Sequence, residues 1–248
     1  MPVRTLAVRY SSGTVVPAHS HHWHQLIYAS EGVMTVDTAQ GTWVVPPHRA
    51  VWVPPGVVHG ITMSGPVLAR FLYLFAGLSS ALPRGCCALN VSAFLRELIL
   101  HTISLGMLDR RIPQHARLIG VLLDQLEVLP TIPLQLPMPR DRRALRIAIW
   151  LREHPDSSGA LETIARRGSA SVRTLERLFL KETGLTFGKW RQQLRLLAAL
   201  RLLAAGRPVT IVALEVGYDS PSAFIAMFKR VLGMTPSRYF EAPNSRRA

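Results

Sequence analysis

Gly217-Tyr218-Asp219-Ser220-Pro221-Ser222-Ala223-Phe224, running on through Phe228, Gly233, Thr235-Pro236 and Tyr239, is the stretch around which the chain arranges itself. Pro221 stands at the natural first position of a helix, with Ser220 before it as the N-cap. Phe224 and Phe228 are four apart and share one helical face. Upstream, Val209–Val216 reads as a short apolar helix. Ala213 and Gly217 are small where two helices must approach closely. Helix, glycine turn, helix is the arrangement that lays a recognition helix in a DNA major groove.

A similar unit precedes it. Ala160–Arg167 is a short helix with Leu161, Ile164 and Ala165 inward, and Gly168-Ser169 is its turn. Ser171 caps the next helix, Val172–Glu182, which Thr183-Gly184 ends. That helix turns Val172, Leu175, Leu178 and Phe179 inward. It keeps Arg173, Thr174, Glu176, Arg177 and Lys181 on its other faces. Arg173, Arg177 and Lys181 recur every fourth residue, and a guanidinium fork matches guanine O6 and N7. Between the units, Thr186–Ala205 reads as one helix with Phe187, Trp190, Leu194, Leu197 and Ala198 on one side. Twenty helical residues span about 30 Å, and successive major-groove segments lie roughly 34 Å apart. Asp141–Glu153 is a further helix, with Leu145, Ala148, Ile149 and Leu151 inward.

Charge supports this. The 248-residue chain carries a net charge of +14. From Pro139 onward there are 20 Lys/Arg against 9 Asp/Glu, and before it 9 against 6. A polyanion is the partner such a surface fits. No apolar run approaches the roughly 20 residues of a membrane span, and Met1–Leu6 has no signal-peptide pattern. Cys86 and Cys87 are adjacent, which is no disulfide framework. A soluble, cytoplasmic protein is expected.

The first part of the chain reads differently. Trp23–Tyr28, Val33–Asp37, Thr42–Val45, Ala50–Val53, Val57–Met63 and Val67–Phe75 are short apolar runs of strand type. Ser30-Glu31-Gly32 and Ala39-Gln40-Gly41 read as hairpin turns. A small sandwich or barrel follows. Six of the nine histidines fall here: His19, His21, His22, His24, His48 and His59. On a strand His19 and His21 share a face, and His22 and His24 point the other way, toward the surface. Imidazoles so grouped suit zinc, nickel, copper or cobalt. Trp43 and Trp52 are candidates to line a ligand pocket, or else core.

Val91–Leu105 and a helix opened by Pro113 have helical apolar spacing, either packing on the barrel or forming a homodimer seam. Pro130, Pro133, Pro137 and Pro139 forbid a helix and mark a linker. The expected organisation is a sensing β domain over 1–90, helices over 91–129, a linker over 130–140, a DNA-binding domain over 141–240, and a disordered basic tail over 241–248.

Two resemblances sharpen these expectations. Gly13, His19, His21, Gln25 and Gly32 match the spacing of the first cupin motif, and Pro54, Gly56 and His59 match the core of the second. The resemblance implies a metal or small-ligand pocket formed by His19, His21, Gln25 and His59. It departs at Gln25, where cupins have a carboxylate, at His48, where the second motif opens with glycine, and at Met63 in place of Asn. From Leu161 to Phe240 the chain resembles the DNA-binding domain of the AraC family of bacterial transcription regulators. The carrying residues are Ser171-x-Arg173-x-Leu175-x-Arg177-x-Phe179, Glu182-Thr183-Gly184, Ala213-x3-Gly217-Tyr218, Ser220, Phe224, Phe228, Gly233, Thr235-Pro236 and Tyr239. Ser169 stands where that family has glycine, and Gly168 is expected to take over by a local shift. The resemblance implies that Arg173, Glu176 and Arg177 face one groove and Pro221, Ser222 and Ala226 the next. Lys229, Arg230 and Arg238 would meet phosphates. It further implies an α+β multidomain protein with a cupin-like barrel and an all-α domain of two helix-turn-helix units. That protein would bind double-stranded operator DNA as a homodimer, work with RNA polymerase, and respond to a divalent metal such as nickel or to a small organic effector. A metal-dependent cupin enzyme fused to a DNA-binding domain is the alternative, although Glu31 is the one nearby acid.

Overall fold

The computed structural model of the chain describes residues 1–127 and 135–240. It divides into two compact units, Met1–Gln135 and Leu136 onward. The expected linker over 130–140 lies partly outside the described residues, and the expected tail over 241–248 wholly so.

The first unit is one antiparallel sheet with two helices. Its strands are β1 (Val3–Tyr10), β2 (Val15–His19), β3 (Trp23–Thr38), β4 (Gly41–Val45), β5 (Arg49–Val53), β6 (His59–Phe75), β7 (Cys87–Asn90) and β8 (Met107–Leu108). The main order is β7-β5-β3-β6-β1-β8, with β2 on β6 and β4 on β3. β3 and β6 are its spine. Each fuses two of the expected runs, so Ser30-Glu31-Gly32 is a bulge inside β3 and not a hairpin turn. The reason is the close approach of β6. Gly32 has φ +79°, and a Cβ there would run into the Pro66 carbonyl of β6, so the strands pass at backbone distance. The bulge bends β3, and β6 meets β1 along one half and β2 along the other. Ala39-Gln40 does close a hairpin, between Thr38 and Gly41. The apolar runs do not mark β1 and β2. Val3 is the one buried residue in these two strands.

One sheet face carries Leu26, Tyr28, Trp52, Leu72 and Leu74, and it packs against α1 (Ala93–Ser104) and α2 (Pro113–Glu127) through Leu95, Ile99, Ile119 and Leu122. Each such side chain contributes about 1.5–3 kcal/mol by leaving water. Ser92 caps α1 by accepting from the Leu95 N–H at 3.1 Å. Cys86 and Cys87 are free thiols, and burial pushes both up to about 11, so they stay protonated.

The second unit begins within a short extended segment, β9 (Gln135–Pro137). It contains α3 (Arg142–Glu153), α4 (Leu161–Arg167), α5 (Val172–Thr183), α6 (Phe187–Ala204), α7 (Val209–Glu215), α8 (Pro221–Leu232) and α9 (Pro236–Phe240). The 18 residues of α6 span about 27 Å. Phe179 of α5 meets Phe187 and Trp190 of α6 edge-on at 5.0 and 4.9 Å. In the later half, Phe224, Phe228 and Tyr239 form a similar chain at 5.7 and 5.6 Å. Four inward assignments are corrected, Leu145 and Leu161 being only half-buried. Ile149 is exposed and Ile147 is buried instead, and Val172 is only half-buried at the start of α5.

The two helix-turn-helix turns are built alike. The Ser169 N–H donates to the Arg166 carbonyl and the Ala170 N–H to Ala165. The Gly217 N–H donates to Leu214 and the Tyr218 N–H to Ala213. Gly217 has φ +82° and Ser169 φ +55°. Ser169 therefore takes the left-handed position itself, and the expected shift of that role to Gly168 does not occur. Gly168, at φ −92°, is needed for space: a Cβ there would lie 2.6 Å from Ile147 Cδ1 and 2.7 Å from the Arg143 carbonyl oxygen.

Candidate functional site

In the first unit the strand register assembles the histidines. His19 of β2 lies directly opposite His59 of β6, and His21 follows just after β2. One ring nitrogen from each of His19, His21 and His59 lies within 4.8 Å of the others. Every Nδ1 is engaged locally: His19 with the Pro17 carbonyl, His21 with Trp23 and His59 with Val57, each at 2.9 Å. A carbonyl only accepts, so each Nδ1 carries the proton, and in a neutral ring Nε2 holds a lone pair. Pinning Nδ1 in this way is how a protein orients imidazoles toward a metal. Burial pushes the His59 pKa down, the Val57 carbonyl partly offsets this, and the neighbouring His19 and His21 lower it further.

Gln25 completes the group. Its Oε1 lies 2.9 Å from both His21 Nε2 and His59 Nε2, and its Nε2 donates to the Tyr73 hydroxyl at 3.1 Å. Two imidazole lone pairs and an amide oxygen repel unless a cation or a proton lies among them. Turned by half a rotation, the amide would donate to both rings and accept from Tyr73. The site thus has two self-consistent arrangements, one for a bound cation and one without. Three imidazole nitrogens and one amide oxygen suit a divalent transition metal. No Asp or Glu joins the group among the described residues, and Glu31 is exposed on the bulge.

Trp52 does not line this site, which corrects that half of the pocket expectation. Trp52 pairs with Leu26 while Gln25 pairs with Val53, so Trp52 lies on the opposite, helix-covered face of the sheet. Its indole N–H donates to the Pro83 carbonyl at 2.9 Å. Trp43 is buried opposite Val36. His24 is also no surface residue: it is buried and stacked on Trp52 at 4.9 Å. His22 is exposed. Three residues that sequence reasoning missed, Arg4, Trp23 and Tyr73, border the histidines. Arg4 pairs with Tyr73 and Tyr73 with Gln25 across three strands, a row visible only once register is known.

In the second unit Arg173, Glu176, Arg177 and Lys181 are exposed along α5. Neither Arg173 nor Arg177 forms an ion pair among the described residues. Thr174 is half-buried, and its hydroxyl lies 3.0 Å from that of Ser171. Glu182 turns away from this face and accepts from the Arg140 and Asp141 N–H groups at 2.6 and 2.9 Å, tying α5 to the start of α3. On α8, Ser222, Ala226, Lys229 and Arg230 are exposed and Pro221 is half-buried, as expected from its place after the Ser220 cap. Arg238 is exposed on α9. A further pair escaped sequence reading. Arg195 of α6 donates through Nε to the Pro155 carbonyl and through Nη2 to Ser157, each at 3.1 Å, and Arg191 also donates to Ser157.

Known proteins match both halves. Residues 3–127 match the AraC-like ligand binding domain family, and residues 164–242 match a helix-turn-helix domain family. The HTH-type transcriptional regulator NimR of Escherichia coli K12 is 40% identical over 223 residues, covering 90% of this chain and 81% of that protein. The regulatory protein SoxS of Escherichia coli K12 is 35% identical over 91 residues, 36% of this chain and 85% of that one. Among solved structures, ToxT of Vibrio cholerae O395 is similar over 98% of this chain and 99% of its own, at 11% identity and a TM-score of 0.42.

Proposed function

The chain belongs to the AraC family of DNA-binding transcription regulators, and on that premise we propose that its first unit is a sensor for a divalent transition metal. It is a regulator and not an enzyme. His19, His21 and His59 would hold the ion, with Gln25 Oε1 as the fourth donor. The carrying observation is the convergence of His21 Nε2 and His59 Nε2 on one amide oxygen, with a ring nitrogen of His19 within 4.8 Å of the other two rings, while each Nδ1 is pinned by a backbone carbonyl. Nickel, zinc, cobalt and copper all accept such ligands. A bound ion does not act as a catalyst here. It favours one arrangement of the regulator over another, and that difference is what changes transcription.

In the second unit the reading assigns base contacts to Arg173, Glu176 and Arg177 on α5. Thr174 and Lys181 support them. Pro221, Ser222 and Ala226 follow on α8, with Lys229, Arg230 and Arg238 as phosphate partners. Guanidinium forks distinguish guanine directly, whereas α8 offers few donors and reads shape and methyl groups. The regulator would act in the cytoplasm as a homodimer through α1 or α2, together with RNA polymerase. No helix among the described residues is long and apolar enough to cross a membrane.

The test is equilibrium dialysis of the full chain against each metal, followed by selection of bound sequences from a random DNA pool with and without that metal. One ion per chain, lost in His21→Ala and His59→Ala, and an altered DNA preference are expected. No uptake of any of the four metals would sink the metal reading. For the reader, Arg177→Ala should weaken specific binding by about 1–3 kcal/mol while leaving non-specific binding nearly unchanged. Equal loss on both would reduce Arg177 to a phosphate clamp.

A further inference from the structure

Beside the histidines lies a cavity of about 310 Å³ lined by Arg4, Thr5, His21, Trp23 and Tyr73. That volume sits at the lower end of small-molecule sites, about 300–1,000 Å³. Its chemistry is asymmetric. The Arg4 guanidinium lies 4.8 Å from the centroid of the Trp23 ring, whose indole packs edge-on to Phe75. Arg4 is exposed, and among the described residues it pairs with no carboxylate. In the arrangement that suits a cation the Tyr73 hydroxyl receives the Gln25 amide, which leaves its own proton free to donate, and in the other arrangement a carboxylate competes with the Gln25 oxygen for that proton. The Thr5 hydroxyl is engaged with the Gly106 carbonyl at 2.6 Å. The neighbouring donors are neutral: three imidazoles and an amide, with no acid among them. A divalent ion held there would carry uncompensated positive charge, and Arg4 adds to it. The polar end of the cavity therefore attracts an anion, while the Trp23 and Tyr73 rings offer flat apolar walls.

We propose that this cavity binds a small organic carboxylate with a planar apolar body, its carboxylate held by Arg4 and the Tyr73 hydroxyl and its ring against Trp23. The inference rests on the reading of the first unit as the sensor, and it adds a second ligand class next to the metal. Arg presents two parallel N–H groups to a carboxylate, and the cross-strand row Arg4–Tyr73–Gln25 sets the bound anion in line with the histidines. The carboxylate thus reports to the same Gln25 amide that faces the metal.

Benzoate titrated calorimetrically into the full chain, metal-free and nickel-loaded, tests this. Benzamide serves as the neutral isostere and inorganic phosphate as the anion without an apolar body. Saturable benzoate binding is expected, about tenfold or more tighter than benzamide and tighter than phosphate. Arg4→Gln should weaken it about tenfold and Tyr73→Phe several-fold, whereas Arg9→Gln, an exposed change on the same strand, should not. Equal affinity for benzoate and benzamide, or no loss in Arg4→Gln, would overturn the proposal. Nickel uptake with no benzoate heat also overturns it and leaves the metal reading intact. Arg4-dependent benzoate binding in a protein that takes up no metal supports the proposal and removes the metal reading instead.

Discussion

At the scale of single residues, the informative positions are those where the sequence departs from its family's pattern. Gln25 replaces a carboxylate yet stays at the centre of the histidine group, 2.9 Å from two rings. An amide supplies a donor atom without charge. Gln25→Glu would add that charge beside three imidazoles, so affinity for a divalent ion should rise about tenfold or more, measurable by competition with a chelator. Unchanged affinity would place the ion elsewhere. The other departures concern backbone. His48 and Ser169 each stand where the motif has glycine, and they are the two non-glycine residues with positive φ among the described residues, at +70° and +55°. The fold keeps the left-handed turn and tolerates the side chain. A left-handed residue with a Cβ costs roughly 1–2 kcal/mol, partly offset by the greater freedom glycine has when unfolded. Ser169→Gly should therefore stabilise by about 0.5–1 kcal/mol in chemical denaturation. Gly168→Ala, one residue away, should destabilise by about 1–3 kcal/mol, because its Cβ overpacks against Ile147 and the Arg143 carbonyl.

At the scale of elements, the helices were largely legible and the sheet was not. Helix boundaries are written in local residues: Ser92, Asp141, Ser171, Thr186 and Ser220 each cap a helix through their own side chains. Strand partners are not local. β1 and β2 have too few buried residues to show a period, and the bulge at Gly32 depends on how closely β6 passes. For the same reason His19, His21 and His59 were legible as candidates, while Arg4, Trp23 and Tyr73 were not. The second unit holds one such non-local device. Arg195 reaches from α6 to the carbonyls that follow α3, and its guanidinium lies 5.7 Å from the Tyr218 ring in the second turn. A Cβ on Gly217 would lie 2.5 Å from Arg195 Nη2. The side chain wedges the second turn against the loop leading into the first helix-turn-helix. Arg195→Ala should lower stability by about 2–4 kcal/mol, since it strips charged donors from half-buried carbonyls. It should also lower affinity for full operators more than for fragments holding only the α5 site. Equal loss on both would assign Arg195 to folding alone.

At the scale of the whole molecule, proton uptake ties stability to pH. His24, His48 and His59 are all pushed below their ordinary value of 6.5, in each case chiefly by burial. When a folded base has a lowered pKa, the unfolded chain binds protons first as pH falls. Stability is therefore complete above 6.5 and declines as pH drops through it. Urea midpoints for the first unit should be lower at about pH 5.5 than at about pH 7.5, and a midpoint that rises would contradict this. The carbonyls that hold the three histidines have a kinetic consequence. Pro17, Trp23 and Val57 each lie two residues from the ring they fix, so the sensor's rings are oriented by the strands that carry them. For the three rings no rotamer search remains when a ligand arrives, and their ordering entropy has already been spent in folding. Capture of an ion by such a site is set by encounter, by dehydration of the ion and by the half-rotation of the Gln25 amide, not by reorientation of the histidine rings.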